Sequence, residues 1–312
     1  MQRDWLVDVV QRLPQGAVSR AWGWLARREQ PRVGVSLLKR VFVQATGIDM
    51  SEAGADLGDY ATLEDLFVRK LKPGARRIDP EPEAVASPVD GTVGASGVVE
   101  AGTLLQVKGR AYSLGALLDD DAAAARYEGG PYATLYLAPR DYHRIHAPLS
   151  GQVTEAQVIP GALMPVFPEA LYKVDGLFAR NERIITYMDT PNAGRLAVVK
   201  VGATLVGRIT LAYDPEVWSN QPNGQSRHLT YDPPQLIQKG GEIGAFELGS
   251  TVVLVAEPGR LLFEDLSEGV KVRMGQRIGT VAAAKTRRKA TPGKPPRRRK
   301  DGPASKRSTP EK

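Results

Sequence analysis

Short apolar runs separated by turn-forming residues fill the chain from about residue 84 to residue 283. The runs are rich in valine, isoleucine, threonine and leucine, as in YATLYL, RIITYM and STVVLV. Glycine, proline and aspartate interrupt them at short intervals, which is typical of short strands joined by turns. This spacing predicts a β-rich core of the sandwich or barrel-like type.

The first 83 residues differ from this core and predict a helical segment. Residues 1–45 are amphipathic, and Pro14 with Gly16 is expected to separate two short helices. The sequence TLED at Thr62 matches a capping box, which predicts a helix that continues to about Leu71. We therefore expect an α+β protein in which N-terminal amphipathic helices (residues 1–83) precede the β-rich core (residues 84–283).

Most of the positive charge lies in a C-terminal tail, residues 284–312. The whole chain has a net charge of +7, whereas residues 285–312 hold twelve Lys or Arg and two Asp or Glu, a net of +10. The preceding 284 residues therefore have a net charge of −3. Because the tail is rich in proline, glycine and serine and has almost no apolar residues, we predict that it is disordered. A basic tail of this kind can contact anionic lipid headgroups or nucleic acid, or it can serve only to keep the protein soluble. Nothing in the sequence requires a nucleic acid partner.

Composition excludes two classes of structure. The chain has no cysteine, so it forms no disulfide bonds and fits a reducing compartment. No apolar run approaches the length of about 18 residues that a membrane-spanning helix needs. Trp5, Trp22 and Trp24 lie near arginines in the amphipathic segment, a combination that suits a membrane interface. The same side chains would also serve to pack the helices onto the core.

Two of the three histidines, His143 and His146, lie in the polar segment PRDYHRIHAPLSG that follows an apolar run. Histidine is the usual proton shuttle near neutral pH, although such a pair is often structural. No zinc site is expected, because the chain has no cysteine and no third ligand at a suitable spacing. We therefore predict no metal.

Ser250 follows Gly249 and begins the apolar run STVVLV. The Gly-Ser step is either a turn into a core strand or a peptide bond that the protein itself breaks. Upstream, Asp90 lies in the sequence SPVDGTVG, where aspartate before glycine is ordinary turn chemistry. Ser250, a histidine and Asp90 would together supply a nucleophile, a base and an orienting carboxylate.

Six segments, taken in order, resemble the phosphatidylserine decarboxylase proenzymes of the prokaryotic type. They are FVRKLKPGARRID, SPVDGTVG, PRDYHRIHAPLSGQV, NERI, VGATLVGRI and FELGSTVVLV, between residues 67 and 255. The resemblance implies self-cleavage between Gly249 and Ser250, which gives a β chain (residues 1–249) and an α chain (residues 250–312). It also implies that Ser250 becomes a covalent pyruvoyl group, the only cofactor. On this group phosphatidylserine would form a Schiff base and lose CO2, giving phosphatidylethanolamine.

The same resemblance assigns roles to individual residues. His146 is expected to be the base for Ser250, and Asp90 the carboxylate that orients its imidazole. His143 is assigned to the decarboxylation step, near the substrate carboxylate or as a proton donor. Thr251 is expected to assist cleavage or to line the pocket. The apolar segment at residues 161–171 is interpreted as a pocket wall, a membrane-facing loop or an ordinary core loop.

A diacyl substrate stays in its bilayer, so the resemblance also implies peripheral attachment at the cytoplasmic face of the cell membrane. The N-terminal tryptophans then become the expected docking surface, and the two chains are expected to form a heterodimer or part of a higher oligomer. Two alternatives stay open: decarboxylation of a related serine-headed lipid, and a carrier-type barrel without catalysis, which GVKVRMGQRIGTV partly resembles. A serine hydrolase is disfavoured, because Ser250 lacks the G-x-S-x-G turn.

Overall fold

The computed structural model describes residues 15–106, 110–204, 208–221, 224–247, 250–264 and 266–282, and of Ser250 it describes the backbone alone. Trp5 and the tail at residues 284–312 lie outside the described residues, so the expectations for them stay predictions. The helices are α1 (Gln15–Ala26), α2 (Arg32–Thr46), α3 (Leu63–Phe67), α4 (Leu114–Leu118), α5 (Asp121–Ala125), α6 (Pro168–Lys173) and α7 (Leu177–Arg180), with a 3₁₀ turn at Met50–Glu52.

Strands dominate the chain from residue 84 onward, as the apolar runs predict. They are β1 (Ala84–Ala86), β2 (Gly91–Val98), β3 (Thr103–Gln106), β4 (Arg110–Ser113), β5 (Pro131–Leu137), β6 (Arg144–His146), β7 (Gly151–Ile159), β8 (Arg183–Thr190), β9 (Gly194–Val201), β10 (Ile209–Thr210), β11 (Arg227–Ile237), β12 (Glu242–Phe246), β13 (Ser250–Ala256), β14 (Leu261–Phe263), β15 (Lys271–Val272) and β16 (Arg277–Val281).

The main sheet has eight antiparallel strands in the order β11-β7-β8-β9-β13-β5-β2-β15. β13 lies near its middle, between β9 and β5. Val252 and Leu254 belong to the core on one face of the sheet, and Val253 and Val255 belong to the core on the other. Because both faces are covered, this strand is apolar at successive positions instead of alternating with polar residues.

Different layers cover the two faces of the main sheet. The small sheets β10-β12-β6 and β1-β16-β14 cover one face and bury residues such as Ile145, Phe246 and Ile278. The helices α4 to α7 and the hairpin β3-β4 cover the other face through residues such as Leu117 and Phe178. Burial of apolar surface contributes roughly 25 cal/mol per Å², so these two cores stabilise the molecule. The predicted α+β fold with a sandwich-type core is confirmed.

The N-terminal helices pack against α3 through a small apolar cluster that contains Ala26 and Leu66. Trp22 is half-buried against this cluster, whereas Trp24 is 58% exposed. α1 begins at Gln15, directly after Pro14, and is separated from α2 by residues 27–31. Residues 1–14 lie outside the described residues, so the predicted separation of two short helices at Pro14 and Gly16 stays a prediction. Within the described residues, no helix is both long and apolar enough to span a bilayer.

The capping box predicted at Thr62 is present, because its side chain accepts from the Asp65 N–H and the Asp65 carboxylate accepts from the Thr62 N–H. The predicted end of the helix near Leu71 is wrong, since α3 ends at Phe67. After α3 the chain forms an isolated antiparallel bridge between Leu71 and Ala53, and this extended pairing is incompatible with a longer helix.

Candidate active site

Ser250 is the first residue of β13, and the register of the main sheet fixes its surroundings. The next residue, Thr251, pairs with Tyr136 of β5, and Tyr136 pairs with Thr92 of β2 on the other side. Asp90 lies two residues before Thr92. The backbones at Asp90 and Ser250 therefore lie at the same end of the sheet, separated by two interstrand spacings, roughly 10 Å.

Asp90 is 7% exposed, and Arg76 holds its carboxylate. The guanidinium of Arg76 donates from Nε to both carboxylate oxygens, at 2.8 and 3.0 Å, and from Nη2 to Oδ2. The Met274 N–H also donates to Oδ1, at 2.8 Å. Although burial disfavours the charge of Arg76, its hydrogen bonds to Asp90 and Glu52 raise its pKa. The Asp90 carboxylate is thus fixed as one half of a buried ion pair.

His146 is 8% exposed at the end of β6, and its tautomer follows from its partners. Nδ1 lies 2.8 Å from the Gly240 carbonyl, which accepts, so Nδ1 carries the hydrogen. Nε2 lies 3.1 Å from the Tyr142 hydroxyl and accepts from it. Burial lowers the pKa of His146 more than the Gly240 bond and the carboxylates of Glu242 and Asp90 raise it. The ring is therefore neutral near pH 7, with Nε2 as its basic atom.

Asp90 and His146 come together in the fold, but no hydrogen bond joins them. The His146 N–H donates to the Pro88 carbonyl at 2.9 Å, two residues before Asp90. Tyr142, the partner of His146, lines the same cavity as Asp90. The expected contact in which Asp90 orients the imidazole is absent, because a main-chain carbonyl occupies Nδ1 and a guanidinium engages the carboxylate.

His143 is completely buried, with its ring centroid 4.0 Å from that of Phe67. Its Nδ1 lies 2.9 Å from the Asp141 carbonyl and donates to it. Its Nε2 is buried and has no hydrogen-bond partner among the described residues. Burial lowers the pKa of His143 to about 3. The neutral ring offers an acceptor at Nε2, and the role of His143 near the substrate carboxylate or as a proton donor stays a prediction.

A small apolar cavity of about 120 Å³ adjoins Thr251, the residue after Ser250. Thr251 is completely buried, and its Oγ1 has no hydrogen-bond partner among the described residues. Val166 and Leu171, from the apolar segment at residues 161–171, are buried and line the same cavity. These two residues therefore form a pocket wall, and for them the alternative of a membrane-facing loop is wrong.

Glu247, three residues before Ser250, belongs to an ion cluster that connects β12 to the N-terminal helices. It accepts from Arg208 Nε, and its Oε2 lies 3.7 Å from Nη1 of Arg27, the residue after α1. The same Nη1 donates to Glu64 of α3 at 2.9 Å. Burial raises the pKa of Glu247 to about 7, and the Glu64 carboxylate adds to this effect. The helical segment is thus anchored beside the predicted cleavage site.

Sequence reasoning missed Arg76, Tyr142 and Gly240, which contact the predicted residues directly. Arg76 and Tyr142 belong to the family-like segments FVRKLKPGARRID and PRDYHRIHAPLSGQV, so their presence was visible but their contacts were not. Gly240 contributes only its main-chain carbonyl, which every residue type has, so the sequence gives no indication of this contact. Among the described residues, no group of three or more His, Asp or Glu side chains is arranged to hold a metal ion.

Comparison with known proteins identifies the family. The profile described as phosphatidylserine decarboxylase matches residues 63–280. A phosphatidylserine decarboxylase proenzyme of Anaeromyxobacter sp. (strain K) is 49% identical over 278 residues, which cover 88% of this chain and 98% of the relative. Proenzymes of the same name are 43% identical in Myxococcus xanthus (strain DK1622), over 90% of this chain and 100% of the relative, and 39% identical in Brevibacillus brevis, over 91% and 100%. The chain therefore belongs to the phosphatidylserine decarboxylase family of carboxy-lyases.

Proposed function

We propose that this protein is a self-processing, pyruvoyl-dependent decarboxylase that converts phosphatidylserine to phosphatidylethanolamine and CO2. The printed names of its relatives state the substrate and describe them as proenzymes. The observation that carries the proposal is the position of Ser250. It begins a central strand at the same end of the main sheet as Asp90, which directly precedes β2, and the His146 N–H donates to the carbonyl of Pro88, two residues before Asp90.

The pairing of β13 on both of its edges supports a site that survives cleavage. β13 pairs with β5 from Ser250 and with β9 from Thr251. These ladders do not depend on the peptide bond between Gly249 and Ser250. After cleavage, the new N-terminus would therefore stay in register beside β5, instead of leaving the site.

In the first step, Ser250 Oγ attacks the carbonyl carbon of Gly249, a base takes the hydroxyl proton, and an ester replaces the amide. Elimination then breaks the bond between Cβ and the ester oxygen, which leaves a carboxylate on Gly249 and dehydroalanine at position 250. One water is consumed and one ammonia is released as the nitrogen of residue 250 departs. Glycine suits the position before the serine, because it has no Cβ to hinder the attack.

We assign His146 as the base for this step. Its Nε2 carries the lone pair, and the Gly240 carbonyl fixes this tautomer. The Tyr142 hydroxyl connects Nε2 to the cavity that Asp90 lines. The Asp90 charge favours protonated His146, although burial has the larger and opposite effect on its pKa. Asp90 would thus support the imidazolium through its charge and not through a hydrogen bond.

Two buried polar atoms, one of them in the residue that follows Ser250, suit a pyruvoyl group at position 250. Such a group supplies a ketone that condenses with a primary amine and accepts the electrons released when CO2 leaves. Thr251 Oγ1 and His143 Nε2 are buried polar atoms without partners among the described residues, so one offers a donor and the other an acceptor. Thr251 would donate to an oxygen beside position 250, and His143 would hold the substrate during decarboxylation. The apolar cavity beside Thr251 would exclude water from this step.

The proposal includes peripheral attachment at the cytoplasmic face of the cell membrane. Val33, Leu37 and Val41 are 82%, 61% and 52% exposed, and their spacing of four places them along one side of α2. Trp24 is also exposed, and the Arg28 guanidinium lies 3.7 Å from its ring centroid. An apolar stripe with arginines beside it suits an anionic bilayer surface. Trp22 packs inward and is left out of this surface.

Sedimentation with phosphatidylserine vesicles tests the attachment. The triple substitution Val33→Ser, Leu37→Ser and Val41→Ser should reduce the bound fraction severalfold, because it removes exposed apolar area. The matched control is Leu236→Ser with Leu262→Ser, two exposed leucines on strands. Equal binding of the triple variant and the wild type would exclude this surface.

Intact-mass measurement tests the function itself. The wild type should give two chains, residues 1–249 and residues 250–312, and the smaller chain should be lighter than its encoded sequence by one ammonia. Ser250→Ala should give one chain without activity, whereas Ser226→Ala, at an exposed serine, should process normally. A wild-type protein that stays uncut and releases no CO2 would favour the carrier-type alternative. Faster CO2 release from another serine-headed lipid would favour the alternative substrate.

A further inference from the structure

Arg69 is a buried cation whose hydrogen-bonding capacity is largely unused. Only 4% of the residue is exposed. Its Nη2 donates to the carbonyls of Arg140 and Asp141, at 2.9 and 3.3 Å, whereas its Nε and Nη1 are buried and have no hydrogen-bond partner among the described residues. No carboxylate of the described residues forms an ion pair with it. A buried guanidinium that no carboxylate contacts directly is costly, so the position of Arg69 favours an anionic ligand beside it.

Arg69 lines a polar cavity of about 220 Å³ that also borders Asp90 and Tyr142. Two other cations of this cavity, Arg140 and Lys271, are exposed and form no ion pair with the described residues. They lie near Asp141, and their charges lower its pKa, although burial has the larger and opposite effect.

The carboxylates of the cavity are already engaged. Glu52 and Asp90 are paired with Arg76, and Arg273 also contacts Glu52. Asp49 accepts hydrogen bonds from Ser51, and Asp141 accepts one from the Ala138 N–H. Three cations that form no ion pair with the described residues thus face two carboxylates that are engaged by main-chain or hydroxyl donors, which leaves the cavity with an excess of positive charge.

The position of the cavity relates it to the proposed reaction. Thr92, which lines the cavity, is level with Thr251 across β5. The backbone at Thr92 lies two interstrand spacings, about 10 Å, from β13, so an anion bound near Thr92 would be at roughly that distance from the backbone at Ser250. In a serine-headed phospholipid the amine and the phosphorus atom are separated by only a few bonds. The exposed side chains of Arg140 and Lys271 are long enough to reach a phosphate that lies closer to Ser250, and guanidinium groups match the geometry of phosphate oxygens.

We propose that Arg69, Arg140 and Lys271 form an anion subsite that takes the phosphate of the lipid headgroup while its amine reacts at position 250. This inference rests on the proposed function for the identity of the lipid. The chemistry it requires is that of a phosphate oxygen, which inorganic phosphate shares.

Self-processing uses no substrate, so it separates this subsite from the cleavage machinery. Lys271→Gln and Arg140→Gln change exposed residues and should process to the same extent as the wild type on denaturing gels. Their KM for phosphatidylserine in neutral detergent micelles should rise about tenfold, since each loses a charged hydrogen bond. Lys70→Gln is the matched control, because Lys70 is exposed and adjacent to Arg69 but does not line the cavity. Its KM should stay within twofold of the wild-type value.

Inorganic phosphate provides a second readout that does not need activity. At constant ionic strength, phosphate should raise the Tm of the wild type and of Lys70→Gln, and this shift should be lost in Lys271→Gln. Phosphate should also compete with the lipid in the wild-type enzyme. Arg69→Lys changes the buried member of the subsite and should have the larger effect. If this variant fails to fold, Arg140→Gln and Lys271→Gln test the subsite.

The outcomes separate failure of the subsite from failure of the function. Fully processed variants with wild-type KM would overturn the subsite while leaving the proposed function intact. Phosphate protection without any change in KM would assign the cavity to free phosphate and overturn the headgroup assignment. If the wild type neither processes nor releases CO2, the proposed function fails. The headgroup assignment then falls with it, and the Tm shift alone decides whether the cavity binds phosphate.

Discussion

At the scale of single residues, the site consists of two separately fixed groups. Arg76 holds the Asp90 carboxylate, and Gly240 holds the His146 ring. The sequence allowed the carboxylate and the imidazole to be predicted by resemblance to a family. Their partners were not predictable, because the contacts join residues 14 and 94 positions apart and one partner is a main-chain carbonyl.

The two histidines should separate the two reactions. His146→Gln removes the proposed base, and self-processing should slow by about 100-fold or more, because general-base catalysis contributes roughly 10² to 10⁴. His143→Gln should process but release little CO2, since His143 is assigned to the later step. The measurement is the time course of chain cleavage on denaturing gels, followed by CO2 release from the processed fraction. Normal cleavage by His146→Gln would remove this residue from the mechanism.

Asp90→Asn should affect stability as well as processing. It removes one of the two carboxylates that pair with the buried Arg76, while the ion pair with Glu52 stays, so the free energy of unfolding should fall by about 2 kcal/mol. Urea unfolding in a Ser250→Ala background, where the chain stays uncut, measures this loss without interference from cleavage. Asp175→Asn is the control, because its ion pair with Arg110 is exposed, and it should change the free energy of unfolding little. Equal stability of the two variants would contradict the buried-pair interpretation.

At the scale of elements, β9 places a lysine inside the apolar core. Lys200 is completely buried beside Val252 of β13, and its Nζ donates to Thr186 Oγ1. Thr186 Oγ1 is in turn 2.7 Å from the Tyr213 hydroxyl. The run RLAVVKVG was predictable as a buried strand in spite of its lysine. The hydroxyl that makes the lysine tolerable comes from another strand, so no local pattern reveals it.

Lys200 should make stability depend on pH. Burial lowers its pKa from 10.5 to about 7 in the folded protein. Between these values the unfolded chain binds more protons, so stability rises with pH from about 7 towards 10.5, and below 7 the full penalty applies. Lys200→Met should therefore be more stable than the parent at pH 7, with the difference shrinking by roughly 1 kcal/mol per pH unit as pH rises.

Urea unfolding at pH 7, 8 and 9 in the Ser250→Ala background tests this dependence. Lys70→Met, at an exposed lysine, is the matched control and should follow the parent at each pH. A constant difference between Lys200→Met and the parent across this range would show that the lysine does not titrate as proposed.

At the scale of the whole molecule, the two chains expected from cleavage share the same sheets. β13 to β16 belong to the proposed α chain, whereas their partners β5, β9, β2 and β1 belong to the β chain. The apolar runs and turn residues made the sandwich predictable, because each strand is a local pattern. The order of the strands was not predictable, since it pairs segments that are far apart in the chain.

Cleaved protein should therefore behave as one particle. The two chains should coelute on size exclusion at the volume of the uncut Ser250→Ala variant, and they should separate only in denaturant. The reason is that β13 is paired along both edges and buried on both faces. Separation of the chains under native conditions would contradict the central position of this strand.

The position of β13 also implies an order for folding and the proposed cleavage. A separate α chain would expose β13 with two apolar faces and two unpaired edges, and a fragment of this kind tends to aggregate. Folding should therefore precede the proposed cleavage, while β13 is still covalently linked to the strands that precede it. Under the proposed mechanism, a molecule that has not yet folded would hold no reactive ketone, so this group would form only inside the folded protein.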